Sequence, residues 1–128
     1  GTGSVTVLQG DFFDFSKEQR FKGKFDAVYD RASLVALRPQ DRKAYAQIIT
    51  ESLKPGGKIL LVVVEHDPFT GGKLGPPFSI TDSVIDQLYS DAFDIKYISR
   101  EDRMPIETHW RKRGAAKFDD VVYILTKR

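Results

Sequence analysis

The feature that most constrains this fold is the uninterrupted apolar run Ile59–Val64. It follows the helix-breaking pair Pro55 and Gly56 and ends at the polar residues 65–67. A strand without polar alternation is covered on both faces, which is typical of parallel sheets flanked by helices. The run is also far shorter than the roughly 20 residues that cross a bilayer. We therefore expect a buried strand over 58–65 in an α/β domain.

The remaining segments extend this α/β pattern on both sides of the run. Tyr45, Ile48, Ile49 and Leu53 recur at helical spacing after Pro39, which suits a first helical turn. Two late segments alternate apolar and polar residues and predict a terminal antiparallel pair of strands. The predicted strands are 5–8, 25–30, 58–65, 93–98 and 118–125, the predicted helices are 39–53 and 81–88, and 68–77 and 99–117 are predicted loops.

Length and composition exclude several classes of protein. A chain of 128 residues is one domain or a piece of one, and residues 1–4 are a loop or an expression tag. The absence of cysteine excludes disulfides and cysteine-ligated metal sites. A net charge of +2 gives no general reason to expect nucleic acid or a membrane surface as partner, and the basic run 111–113 beside Trp110 is interpreted as a solvated loop. With no secretory signal in the sequence, we expect a cytoplasmic protein.

Polar residues follow three of the predicted strands. These are Asp11 with Phe12, Asp30 with Arg31, and the run 65–67. Ligands of open α/β sheets bind outside the carboxyl ends of the strands, so these residues are candidates for a site. Residues 65–67 are consecutive on an extended chain and point to alternating sides, so we expect no metal site there.

Four blocks of this chain resemble the C-terminal half of the thiopurine S-methyltransferases. They are Tyr29–Leu37, Asp41–Ala46, Gly75–Phe78 and Val122–Thr126, and the likeness runs from about residue 5 to the last residue. The resemblance implies a Rossmann-like class I methyltransferase sheet flanked by helices. It also implies that S-adenosylmethionine is the cofactor and that the acceptor is the sulfur of a small aromatic or heterocyclic thiol.

The resemblance also implies roles for individual residues. Asp11 and Phe12 correspond to the adenine end of the cofactor, and Arg31 to the arginine beside its methionine end and the substrate. Such a permanent cation favours a thiolate, which is a better nucleophile than a thiol. Asp30 is expected to orient Arg31 through a bidentate pair, with a low pKa that makes it a weaker candidate for proton acceptor.

On the substrate side, the resemblance implies a loop formed by Pro76, Pro77 and Phe78. The late arginine that human-type enzymes place near the substrate falls at His109 in an ungapped count. Arg111 and Arg113 are close by in the sequence. This departure leaves the contact to a substrate anion unassigned.

The family's first glycine-containing loop and the acid that ends its second strand have no counterpart here. The implied sheet order is 3-2-1-4-5-7-6, in which 5–8 would be strand 3 and 25–29 strand 4. Strands 1 and 2 would be absent, which exposes an unpaired strand edge. We therefore expect residues 1–128 to be the C-terminal portion of one methyltransferase domain, inactive alone. Its missing half would lie in the same polypeptide, in a separate chain, or be replaced by dimer exchange.

Two alternatives to thiol methylation are open at this point. A methyltransferase of the same fold and cofactor could act on a halide, selenium or tellurium acceptor. A non-catalytic half-domain could instead serve as a binding or dimerisation module.

Overall fold

The computed structural model describes residue 23, residues 25–31 and residues 33–128. The predicted strand at 5–8 lies outside these ranges. Short 3-10 turns at Leu34–Ala36, Pro39–Asp41 and Thr70–Gly72 connect the longer elements. Those elements are β1 (Phe25–Arg31), α1 (Arg42–Ser52), β2 (Leu53–His66), α2 (Asp82–Tyr89), β3 (Phe93–Asp102), α3 (His109–Lys112) and β4 (Phe118–Lys127).

The strands form one sheet in the order β1-β2-β4-β3. β1 is parallel to β2, whereas β4 is antiparallel to both β2 and β3. The order matches the 4-5-7-6 end of the expected methyltransferase sheet, and the predicted terminal antiparallel pair is confirmed. The parallel pair brings the carboxyl ends of β1 and β2 to the same edge of the sheet.

The main core lies between one face of this sheet and the helices α1 and α2. Ile59, Leu61 and Val63 alternate along β2 and are fully buried. They pack with apolar residues of both helices, including Tyr45 and Ile85. The helical spacing seen in the sequence therefore corresponds to the buried side of α1.

The opposite face of the sheet is only partly covered by the described residues. On this face the side chain of Tyr29 is 61% exposed and that of Leu60 is 38% exposed. At one end of this face Trp110 of α3 stacks on Phe118, so the described helices lie on both faces of the sheet. Among the described residues, β1 pairs with β2 alone and its other edge has no neighbouring strand.

Several boundaries differ from the sequence predictions. β2 begins at Leu53, directly after α1, because residue Phe25 already pairs with Leu53 before the register shifts. Gly57 is required in this segment, since a Cβ there would lie 2.8 Å from the carbonyl oxygen of Lys54. β3 continues to Asp102, and α3 forms within the predicted loop. No helix among the described residues is long and apolar enough to span a membrane.

Candidate functional site

The candidate site lies at the edge where β1 and β2 end. Asp30 and Arg31 end β1 and pair with Leu61 and Val62, while β2 continues to His66. The glycine- and proline-rich segment after β2 returns to this edge at Phe78, whose backbone N–H donates to the Val35 carbonyl at 2.7 Å. The structure therefore brings the end of β1 and the Gly-Pro-Pro-Phe block into one region.

Arg31 is exposed at the end of β1. It pairs with Val62 in the sheet, and Val62 pairs in turn with Val122. Since side chains alternate along a strand, Arg31 and Asp120 share the sheet face opposite α1 and α2. Within the described ranges, the guanidinium of Arg31 makes no hydrogen bond or ion pair, although its charge acts on the carboxyl group of Asp120. Its positive charge is available to an anionic group.

Asp30 points to the other side of the sheet and is only 2% exposed. Its Oδ2 accepts a hydrogen bond from the Tyr45 hydroxyl at 2.6 Å, and its Oδ1 accepts one from the Leu34 backbone N–H at 3.4 Å. The expected bidentate pair between Asp30 and Arg31 is therefore wrong. Consecutive residues of a strand face opposite sides, so their side chains diverge.

The expected low pKa of Asp30 is also wrong. Burial raises the pKa of the Asp30 carboxyl above its usual value, and the hydrogen bonds from Tyr45, Leu34 and Ser33 only partly oppose this. The carboxylate contacts the turn after β1 and the first half of α1, away from the exposed face that carries Arg31. Asp30 is a positioning residue for the end of β1.

Asp120 is a partly buried acid on the same face of the sheet as Arg31. Burial raises the pKa of the Asp120 carboxyl, and the positive charges of Arg103 and Arg31 oppose that rise. The Nε of Arg103 lies 3.8 Å from Oδ2 of Asp120. Arg31 therefore lies near both a positive charge, Arg103, and a negative charge, Asp120, at the carboxyl edge of the sheet.

Glu65, the polar residue near the end of β2, belongs to a separate ion-pair cluster. Arg100 on β3 lies 2.5 Å from Glu65 and 2.8 Å from Asp119 on β4. Hydrogen bonds to Asp119 and Glu65 raise the pKa of the Arg100 guanidinium. These charges join β2, β4 and β3 at one end of the sheet.

Two side chains hold the carbonyl groups of the proline pair. The Nε2 of His66 lies 2.6 Å from the Pro77 carbonyl oxygen, and its Nδ1 lies 2.6 Å from the Asp67 carbonyl oxygen. Arg113 donates from Nη2 to the Pro76 carbonyl at 3.1 Å. The loop is therefore attached both to the end of β2 and to the segment after α3.

An aromatic stack supports the same loop. The ring of His66 lies between those of Phe69 and Phe118, at 4.4 and 5.3 Å between centroids. Trp110 stacks on Phe118 at 4.2 Å, and the guanidinium of Arg113 lies 4.1 Å from the centroid of Phe69. Near-parallel rings and a cation over an aromatic face are both favourable contacts.

These contacts predict that the loop opens more often when its attachments are removed. We expect His66→Ala and Arg113→Ala to increase hydrogen exchange of backbone amides in 69–78 by about 10-fold, the equivalent of one lost hydrogen bond. Hydrogen-exchange mass spectrometry measures this, with the exposed neighbour Lys112→Ala as control. Unchanged protection of the loop in both variants would contradict the attachment.

The sequence-predicted site residues are only partly brought together. Arg31 lies at the carboxyl edge, and Pro76, Pro77 and Phe78 form the loop that returns to it. His109 lies on α3 with its exposed ring 4.1 Å from that of Trp110. Arg113, one turn further along, makes the hydrogen bond to the loop instead. Asp11 and Phe12 lie outside the described residues.

Sequence reasoning missed the parts played by Tyr45 and His66. The helical spacing identifies Tyr45 only as an apolar position, although a buried tyrosine hydroxyl usually requires a partner. That partner is Asp30. The local sequence indicates only a polar strand end at His66 and gives no sign that its ring stacks on those of Phe69 and Phe118.

Comparison with known proteins identifies relatives over almost the whole chain. The family model described as Thiopurine S-methyltransferase matches residues 1–128. Thiopurine S-methyltransferase of Nitrosospira multiformis is 33% identical over 97% of this chain and 54% of its own length. That of Bos taurus is 29% identical over 99% of this chain and 49% of its own length. The chain spans about half the length of the curated relatives it matches.

Solved structures share the fold at low sequence identity. An arsenic(III) S-adenosylmethionine methyltransferase from Chlamydomonas reinhardtii superposes with a TM-score of 0.68 at 19% identity, covering 95% of this chain and 44% of that one. A methyltransferase from Archaeoglobus fulgidus gives a TM-score of 0.57 at 12% identity, covering 95% and 67%. The sheet order and these likenesses establish the class I methyltransferase fold.

Proposed function

Because the chain belongs to the thiopurine S-methyltransferase family, we propose that its full-length protein transfers a methyl group from S-adenosylmethionine to the sulfur of a small aromatic or heterocyclic thiol. The observation that carries this proposal is the exposed Arg31 at the carboxyl edge of the methyltransferase sheet, whose guanidinium makes no ion pair with another described residue. In open α/β sheets this edge is where ligands bind. The cofactor and the acceptor in this proposal are inferred from membership of the family.

The residues at this edge are compatible with the cofactor's chemistry. Its methionine end carries a carboxylate, and an arginine guanidinium recognises carboxylates through paired N–H groups. Arg31 has no internal carboxylate partner among the described residues, so binding an external one breaks no ion pair there. Asp11 and Phe12 remain proposed contacts to the adenine end.

The cofactor supplies a methyl group on a positively charged sulfur, so this chain's residues need mainly to orient the reactants. Arg31 favours the ionised form of an approaching thiol because it places a permanent positive charge beside it. The loop of Pro76, Pro77 and Phe78 forms the proposed substrate side and excludes water. Orientation of this kind can lower a barrier by roughly 7–11 kcal/mol.

The unpaired edge in the described part of the sheet indicates that residues beyond those described are needed to complete the site. The chain spans about half the length of its curated relatives, and among the described residues β1 has one unpaired edge. We propose that residues 1–128 are the C-terminal portion of one methyltransferase domain and that a further segment pairs with β1. Such a segment would lie beside β1 and form the rest of the proposed cofactor site.

The test is methyl transfer by the full-length protein from isotopically labelled S-adenosylmethionine. We expect labelled product with thiophenol and 6-mercaptopurine and none with iodide. A preference for iodide would assign the protein to the halide alternative. Cofactor binding without transfer to any acceptor would overturn the enzymatic proposal and leave a binding module.

A further inference from the structure

Asp120 on β4 lies on the same face of the sheet as Arg31, and two valines separate these charged residues. Arg31 pairs with Val62 in the sheet, Val62 pairs with Val122, and Asp120 comes two residues before Val122. Adjacent strands are about 4.8 Å apart, so β1 and β4 lie about 10 Å apart across β2. The side chains of Arg31 and Asp120 can therefore flank a small molecule that rests on the half-buried Val62 and Val122.

Three other acids near this edge point to the opposite side of the sheet and have partners there. Asp30 is buried and accepts a hydrogen bond from the Tyr45 hydroxyl. Glu65 and Asp119 both form ion pairs with Arg100. Because side chains alternate along a strand, all three carboxylates lie on the side of the sheet that α1 and α2 cover.

Two acids at the end of β3 and after it are held by hydrogen bonds. Glu107 accepts them from Nε1 of Trp110 at 2.9 Å and from Arg103 at 3.2 Å. Asp102 accepts one from the backbone N–H of Met104 at 2.9 Å. The hydrogen bond from Trp110 is the main reason that the pKa of the Glu107 carboxyl lies below its usual value. Hydrogen bonds of this kind favour the ionised carboxylate and make it a weaker base.

The carboxylate of Asp120 differs because it accepts no hydrogen bond from the residues that the structure describes. Its side chain is 20% exposed, and its Oδ2 lies 3.8 Å from Nε of Arg103. Burial raises the pKa of the Asp120 carboxyl, and the positive charges of Arg103 and Arg31 oppose this rise. The negative charges of Glu107 and Glu101 add to it. A half-buried carboxylate with free oxygen lone pairs is suited to accept a proton.

We propose that Asp120 accepts the proton of the acceptor thiol, an assignment that rests on the methyl transfer proposed above. An oxygen of the Asp120 carboxylate takes the thiol proton, and the electron pair of the S–H bond stays on sulfur. Arg31 stabilises the resulting thiolate by its positive charge. A sulfur electron pair then forms the new bond to the methyl carbon, while the methyl–sulfonium bond breaks and its pair stays with the leaving thioether. Asp120 finally releases the proton to water through its exposed part.

The test compares Asp120→Asn with the unaltered full-length protein on two thiols of similar size, 4-methoxythiophenol and the more acidic 4-nitrothiophenol. At about pH 6 the first is mostly a thiol and the second mostly a thiolate, so only the first needs a proton acceptor. We expect Asp120→Asn to lower kcat/KM for 4-methoxythiophenol by about 100-fold and that for 4-nitrothiophenol by no more than about 2-fold. Initial rates with labelled S-adenosylmethionine measure both effects.

Glu101→Gln is the matched control. Glu101 pairs with Asp120 in the sheet and lies 3.5 Å from Arg103, so its substitution removes the same charge from the same cluster. Its side chain is 62% exposed, and the ratio of kcat/KM for the two thiols should stay within about 2-fold of that of the unaltered protein. Equal losses with both thiols in Asp120→Asn, or the same selective loss in Glu101→Gln, would overturn the assignment.

A measurement on the unaltered protein keeps the test decisive if Asp120→Asn does not fold. With a proton acceptor in the site, kcat/KM for 4-methoxythiophenol should level off with rising pH before the thiol itself ionises. An increase that follows the thiolate fraction up to the pKa of the thiol would overturn the assignment.

The acidic thiol separates this assignment from the function on which it rests. Absence of transfer to 4-nitrothiophenol by the unaltered protein would overturn the proposed methyl transfer and the role of Asp120 together. Transfer to 4-nitrothiophenol, with equal losses on both thiols in Asp120→Asn, would overturn the role of Asp120 alone.

Discussion

Replacing Arg31 by alanine is expected to lower kcat/KM for methyl transfer to thiophenol by about 100-fold, the usual effect of removing one charged group that stabilises a reacting centre. The reason is that Arg31 is an exposed cation at the end of β1 that makes no ion pair with another described residue. Arg31→Lys should restore only part of the loss, because an ammonium cannot make paired hydrogen bonds to a carboxylate. Initial rates with labelled cofactor and the dissociation constant of S-adenosylmethionine measure both effects.

The control for Arg31 is Lys54→Ala. Lys54 lies at the opposite end of the parallel pair, where it forms an exposed ion pair with Asp26 at 3.4 Å. The Lys54→Ala substitution removes one positive charge, as Arg31→Ala does, but far from the carboxyl edge. Turnover and cofactor affinity should therefore stay within about 2-fold of those of the unaltered protein, as is usual for an exposed ion pair. An Arg31→Ala enzyme with the turnover and cofactor affinity of the unaltered protein would remove Arg31 from the site.

Much of the fold can be predicted from the sequence because periodicity reports burial. Alternate residues of the apolar run in β2, Ile59, Leu61 and Val63, are core positions, as are helically spaced residues of α1 and alternating residues of β4. Boundaries are less accurate where tertiary pairing overrides local signals. Pro55 and Gly56 break the helix but lie inside the long strand β2, since β1 pairs with Leu53 ahead of them.

The candidate site is less predictable because it depends on the directions in which side chains point, and sequence spacing does not report these. Asp30 and Arg31 are adjacent in sequence, and the proximity of opposite charges suggested a pair. The strand sends one into the core and the other to the exposed face. Similarly, His66 and Pro77 are 11 residues apart in sequence, which does not predict a contact between them. They meet because the loop after β2 folds back to the end of that strand.

Asp30 and Tyr45 should show strong energetic coupling in a double-mutant cycle. Asp30→Ala is expected to lower the free energy of unfolding by about 2 kcal/mol, because it leaves the buried Tyr45 hydroxyl without this acceptor. Tyr45→Phe removes the donor from a buried carboxylate and should have a similar cost. The double variant should be less destabilised than the sum, with a coupling of about 1.5–3 kcal/mol. Urea denaturation of the full-length protein measures these values.

Tyr89 provides the matched control for this cycle. It is buried like Tyr45, but its hydroxyl has no hydrogen-bond partner in the part of the chain that the structure describes. Tyr89→Phe should therefore leave stability unchanged or raise it, because it removes an unsatisfied polar atom from the core. Equal losses in Tyr45→Phe and Tyr89→Phe, or additive losses in the cycle, would contradict a specific bond between Asp30 and Tyr45.

The same carboxyl predicts how stability depends on pH. Burial raises the pKa of Asp30 above its usual value of 3.8, so the folded state binds this proton more tightly than the unfolded state. The resulting stabilisation is complete below the unfolded pKa and is lost as pH rises through the folded one. Relative to Asp30→Asn, which cannot ionise, the unaltered protein should therefore lose stability as pH rises from about 4 toward neutrality. Denaturation curves of both proteins across this range measure the difference, and a gain in relative stability with rising pH would show that the hydrogen bonds to the carboxylate outweigh its burial.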